Sequence, residues 1–143
     1  NAFTFPVGQI GEEAKKLLDV TQKSLYLGIE AAQAGHRVGD IGAAVQALVE
    51  QNGFAVVRQY VGHGVGHNLH EDPEIPNFGR AGHGVRLVPG MTIAIEPMVN
   101  QAGEGVRVLD NDWTVVTRSG SLSAHFEHTI AITEQGPVIL TTP

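Results

Sequence analysis

The 143-residue chain contains no cysteine. That excludes a disulfide framework and a thiolate metal site, and it fits a cytoplasmic setting. No run approaches the ~18 continuous apolar residues of a membrane span, and no signal-peptide pattern is visible. Basic runs are also missing. Nine Lys and Arg stand against fifteen Asp and Glu, a formal net charge of −6, so neither nucleic acid nor a membrane is the expected partner. Charged residues are scarce too, at 17% against 42% hydrophobic, a balance that favours a folded core over disorder. The length suits one domain, with no internal repeat and no low-complexity segment. Asn1 opens the chain inside what reads as a strand, "AFTFPVG", and "VILTTP" closes it in another. The expectation is a piece of a longer protein.

What is present divides into two helical segments followed by strands. In "IGEEAKKLLDVTQKSLYLGIEAAQAG", Ile10, Ala14, Leu17, Thr21, Leu25 and Gly28 recur at helical spacing. Glu12 and Glu13 lie near the start, where the helix dipole favours acids, and Gly35 is the expected stop. Asp40 reads as an N-cap for a second helix whose face is Ile41, Ala44, Val45, Leu48 and Val49, ended by Gly53. From Phe54 the pattern changes to short β-branched runs: "FAVVRQYV", "MTIAIEPMV", "VRVL", "WTVVTR", "AHFEHTIAIT" and "PVIL". "VPGM" and "DNDW" read as turns between them. This order predicts an α+β fold, with two helices on one face of a mostly antiparallel sheet.

Residues 61–72, "VGHGVGHNLHED", hold three histidines. His63 and His67 stand at i, i+4, a zinc-like spacing on a helix, but Gly62, Gly64 and Gly66 argue against a helix. HExxH is absent, and a phosphate-binding GxGxxG fails because its third glycine would fall on His67. A ligand site and a glycine-rich loop with solvated histidines both remain open on this stretch alone.

Two later strands carry carboxylates among small residues. Alternation puts Thr92, Ala94 and Glu96 on one face of "MTIAIEP". It likewise puts His125, Glu127, Thr129 and Ala131 on one face of "AHFEHTIAI". Either strand alone could have a solvent face. If buried, each carboxylate needs a cation or hydrogen bonds to offset its desolvation. Together with a histidine-rich segment, the pair points to a hard-metal site suited to Mn, Fe, Co or Zn.

"GHGVGHNLHEDP", "LVPGMTIAIEPMVN" and "DNDWTVVTRSGSLSAHFEHTIAIT", in that order, closely resemble the C-terminal half of type I methionine aminopeptidases, which are pita-bread metallopeptidases. "TFPVG" and "GPVILT" extend the match over essentially the whole chain. The resemblance implies that helices pack on a curved sheet and that residues 1–143 form a partial catalytic domain without its N-terminal half. It implies two divalent metal ions (Co, Mn, Fe or Zn) bridged by a hydroxide that attacks the carbonyl after the N-terminal Met of nascent polypeptides. His63, Glu96 and Glu127 would be metal ligands, with Glu127 bridging. Glu96 would also act as general acid/base, and His70 would contact substrate and hold the developing oxyanion. Leu69 and Trp113 match positions that line the methionine side-chain pocket. His67 matches no position with a role, His36, His83 and His125 read as ordinary structural histidines, and His128 reads as core packing.

The family's metal pair takes two Asp, one His and two Glu, of which this chain carries the His and both Glu. The pattern places the second Asp immediately before Asn1, and the first Asp and a further substrate His earlier still. The chain alone is therefore expected to bind metal weakly, to be inactive, and to expose a sheet edge that invites association. Two rivals remain. Prolidase or aminopeptidase P relatives share the GHG, HE and Glu positions but typically read "IEPG", where this chain has "IEPMVN". A non-catalytic pita-bread binding module would usually have lost ligands.

Overall fold

The computed structural model describes residues 1–142. The helices α1 (Glu12–Ala31) and α2 (Val38–Gln51) form as their stripes predict. Leu17, Thr21, Leu25 and Gly28 of α1 are buried, as are Ile41, Val45 and Val49 of α2. α1 ends before the expected stop at Gly35, because the next backbone stretch pairs elsewhere. Gly35 N–H donates to the Leu87 carbonyl, and Leu87 N–H donates back to His36. Asp40 is not the N-cap. Arg37 holds that position, and the Asp40 carboxylate, in the first turn, accepts the Arg37 N–H at 2.7 Å and the Gly82 N–H at 2.7 Å. It thus fastens the helix start to the glycine-rich loop beside it. These two backbone donors, Arg37 first, hold its pKa below the ordinary carboxylate range.

Ten strands follow: β1 (Ala55–Val56), β2 (Gly62–Gly64), β3 (Glu71–Ile75), β4 (Thr92–Ile95), β5 (Met98–Asn100), β6 (Val106–Val108), β7 (Val115–Thr117), β8 (Ser123–His125), β9 (His128–Thr133) and β10 (Gly136–Ile139). They make a five-stranded sheet β10-β9-β4-β2-β3, a three-stranded sheet β1-β5-β8 and a hairpin β6-β7. Every pairing is antiparallel. The α+β architecture read from the sequence holds. The first seven residues, however, do not form a strand. Ala2 alone bridges to Glu127, while Phe5 and Val7 face solvent.

Both helices pack against the two larger sheets, and Ile41, Val45, Ile93, Ile95, Val99, Ile130 and Ile132 fill the space between. Each such side chain contributes about 1.5–3 kcal/mol on leaving water. Among the described residues no helix is long and apolar enough to cross a membrane.

Two runs that read as single strands are each split. "MTIAIEPMV" breaks between β4 and β5, and "AHFEHTIAIT" between β8 and β9. The breaks face each other: Ile95 pairs with His128 on one side and Met98 with His125 on the other. Pro97 has no N–H to give, so the ladder cannot run through it. The chain leaves one sheet and enters the next at this gap, which holds Glu96 and Pro97 on one run and Phe126 and Glu127 on the other.

Candidate metal centre

His63 reaches the gap from the neighbouring strand. β2 lies between β3 and β4, with His63 opposite Glu74 and Ala94. The glycines on either side make this possible. A Cβ on Gly62 would lie 2.2 Å from the Ala94 carbonyl oxygen, and one on Gly64 would lie 2.2 Å from that of Asp72. "GHG" is therefore a strand squeezed between two others, not a loop. The His63 ring is also fixed in tautomer. Nδ1 lies 2.8 Å from the Gly64 carbonyl, which can only accept, so Nδ1 carries the proton and Nε2 presents its lone pair.

That nitrogen faces the carboxylates. His63 Nε2 is 3.5 Å from Glu96 Oε1, and one ligand atom each from His63, Glu96 and Glu127 all lie within 4.8 Å of one another. The side chains are 14%, 15% and 19% exposed. Partly buried carboxylates facing an imidazole lone pair need a positive charge to offset desolvation, so this donor set fits a divalent metal of the Mn, Fe, Co or Zn type. The α-ammonium of Asn1 lies 3.6 Å from Glu127 Oε2, which places the start of the chain beside the cluster.

The centre opens into a cavity of about 960 Å³. His63, His70, Glu96 and His125 face it, with Val106 and Val115 of the β6-β7 hairpin across from them. His70 sits on the exposed β2-β3 connection with its ring centroid 4.2 Å from that of His63. Leu69 and Trp113, expected from the resemblance in the pocket wall, are 71% and 87% exposed and are not among the residues lining this cavity. Leu69 follows the strand that carries His63, and Trp113 caps the hairpin whose strands line the cavity. His67, His36 and His83 are exposed and outside the cluster. His128 turns away, its Nδ1 2.8 Å from Thr141 Oγ1 and its ring beside Tyr26, and burial, the larger cause, lowers its pKa.

His125 is the residue that sequence reasoning passed over. It is no bystander: it lines the cavity, and its Nε2 lies 3.3 Å from Glu96 Oε2. The available signal was its position two residues before Glu127 on the same strand face.

Comparison with known proteins shows the family and the fold. The model of metallopeptidase family M24 matches residues 1–134. A methionine aminopeptidase of Clostridium perfringens is 56% identical over 140 residues, 98% of this chain and 56% of that protein. Methionine aminopeptidase 1 of Bacillus subtilis is 56% identical over 141 residues, 99% of this chain and 57% of that protein. The chain thus spans about half the length of the relatives it matches. A crystal structure of methionine aminopeptidase from Thermotoga maritima superposes with a TM-score of 0.96 at 51% identity, over 99% of this chain and 57% of that one. A prolidase from Pyrococcus horikoshii superposes with a TM-score of 0.74 over 98% of this chain and 35% of that one, but at 23% identity, a likeness of fold alone. The family model's match over residues 1–134, the 56% identity to methionine aminopeptidases and the shared pita-bread architecture place this chain in metallopeptidase family M24.

Proposed function

We propose that this chain is the C-terminal half of a cytoplasmic methionine aminopeptidase, which removes the N-terminal Met of nascent polypeptides using two divalent metal ions. The carrying observation is the His63, Glu96 and Glu127 cluster, with ligand atoms within 4.8 Å, at the edge of a cavity large enough for a peptide end. The names of the relatives support the substrate. Their length supports a missing half, since this chain covers 56% and 57% of the two relatives described. A residue preceding Asn1 would be joined through its carbonyl carbon to the nitrogen that lies 3.6 Å from Glu127 Oε2, within side-chain reach of the cluster, which suits a further carboxylate ligand there.

His63, Glu96 and Glu127 hold the metal, completed by side chains from the preceding half. Bound divalent metal supplies Lewis acidity toward the carbonyl after Met and lowers the pKa of water toward ~7. Glu96 takes the proton of the attacking water and delivers it to the leaving amine. His70, exposed on its connection yet adjacent to His63, donates to the developing oxyanion. Leu69 and Trp113 form the rim that meets the Met side chain.

Hydrolysis of Met-Ala-Ser by the full-length protein and by residues 1–143 alone tests this reading. We expect metal-dependent release of Met from the first and none from the second. Release by residues 1–143 would overturn the incompleteness of the site. Cleavage of Ala-Pro in place of Met-Ala-Ser by the full-length protein would reassign it to proline peptidases.

A further inference from the structure

We propose that His125 is a positioning residue for Glu96, holding that carboxylate through a hydrogen bond from its Nε2. The proposal rests on the role given above to Glu96.

The contact is asymmetric in a useful way. Glu96 turns Oε1 toward His63 Nε2 at 3.5 Å and Oε2 toward His125 Nε2 at 3.3 Å. One oxygen therefore faces the cluster and the other faces His125. The His125 side chain is 37% exposed, yet its Nε2 is buried and has no hydrogen-bond partner in the present geometry. Its exposed portion lines the cavity, while the buried nitrogen is shielded from anything bound there. A buried imidazole nitrogen without a partner costs free energy, and Glu96 Oε2 is the acceptor within reach. At 3.3 Å the pair needs only a small adjustment to align, as expected of a site whose hydrogen bonds tighten when it is loaded. Because a carboxylate only accepts, the proton belongs on Nε2, the opposite tautomer to that of His63.

The backbone of His125 is fixed for this task. Its N–H donates to Thr4 Oγ1 at 3.0 Å, and the same hydroxyl donates to the His125 carbonyl at 2.7 Å. Its pairing with Met98 sets it at the edge of the ladder gap, across from Glu96. Hydrogen bonds of this kind orient a metal-binding carboxylate and commonly weigh ~10–100-fold in metal affinity or activity.

The experiment compares His125→Leu, His125→Gln and Glu96→Gln in the full-length protein. For His125→Leu we expect kcat on Met-Ala-Ser, or affinity for Mn²⁺ in calorimetry, to fall about tenfold or more while KM stays unchanged. His125→Gln, which keeps a side-chain donor, should recover most of the loss. In the metal-free protein, ¹⁵N–¹H correlation spectra should place the His125 proton on Nε2, and Glu96→Gln should move that signal. Wild-type kcat and Mn²⁺ affinity in His125→Leu, a loss that Gln does not recover, or a proton on Nδ1 would each overturn the proposal. Full activity in Glu96→Gln would instead overturn the role of Glu96, which keeps the two failures apart.

Discussion

His63 and His70 lie seven residues apart with rings 4.2 Å from centre to centre, yet they are held in opposite ways. His63 is clamped. Its strand is wedged between β3 and β4, its neighbours have no room for a Cβ, and its ring is pinned to the Gly64 carbonyl. His70 is exposed on a connection latched mainly by one side chain, the Glu71 carboxylate, which accepts the Asn68 N–H at 2.7 Å. The roles proposed above fit this difference: a metal ligand must keep its geometry with nothing bound, whereas a group that meets a changing substrate benefits from freedom. The same twelve residues supply a clamped and an exposed histidine by passing from strand to loop within a few positions.

The sharpest way to break this comparison is to remove each ring in the full-length protein. His63→Ala should lose bound metal and drop Met release to background. His70→Ala should keep the metal, measured by elemental analysis of the dialysed protein, and lose about 10²–10³-fold in kcat, the cost of one oxyanion donor. Metal loss in His70→Ala would mean that the exposed histidine is also a ligand, and the division between them would fail.

A smaller effect tests the clamp itself. In Gly62→Ala the new Cβ would meet the Ala94 carbonyl at 2.2 Å, a backbone atom that cannot step aside. Overpacking of that kind costs ~1–3 kcal/mol, read as a lower urea midpoint with unchanged slope. In Gly66→Ala the Cβ would meet Glu71 Oε2 at 2.4 Å, the end of a side chain that can swing away. That variant should lose no more than the latch, ~0.5–1.5 kcal/mol. Equal losses would make the loop as rigid as the strand.

The sequence was most readable where periodicity is local and continuous. The α2 face, and the shared face of His125 and Glu127 on their strand, followed from spacing alone, because side-chain direction depends on the residue's own backbone. The strand at "GHG" was not readable. Its glycines serve close approach by the backbones of Asp72 and, farther along the chain, Ala94, and looked like loop chemistry in isolation. The gap at Glu96 and Glu127 was hidden for a related reason. Pro97 was a signal for one break that the reading of "MTIAIEPMV" as one strand did not use, and the matching break at Phe126 and Glu127 carries no breaker residue. His125 was discounted because a histidine's worth depends on what it faces, and Glu96 lies on another strand.

The smallest expected effect concerns a second glycine-rich loop held by a carboxylate. Asp40 fastens the Gly82 N–H to the start of α2 much as Glu71 fastens the Asn68 N–H, but outside the cluster. Asp40→Asn retains one acceptor oxygen where two N–H groups point, so it should cost about 1 kcal/mol at neutral pH and leave metal binding untouched. The pH dependence identifies the cause. The folded pKa of Asp40 lies below the ordinary 3.8, so the carboxylate's contribution is fully present above that value. It disappears as pH falls through the folded pKa. The stability difference between wild type and Asp40→Asn in urea should therefore stay level from neutral pH down to the ordinary value and close below it. A difference that persists unchanged into acid would assign the loss to shape, and the carboxylate latch would not be what holds this loop.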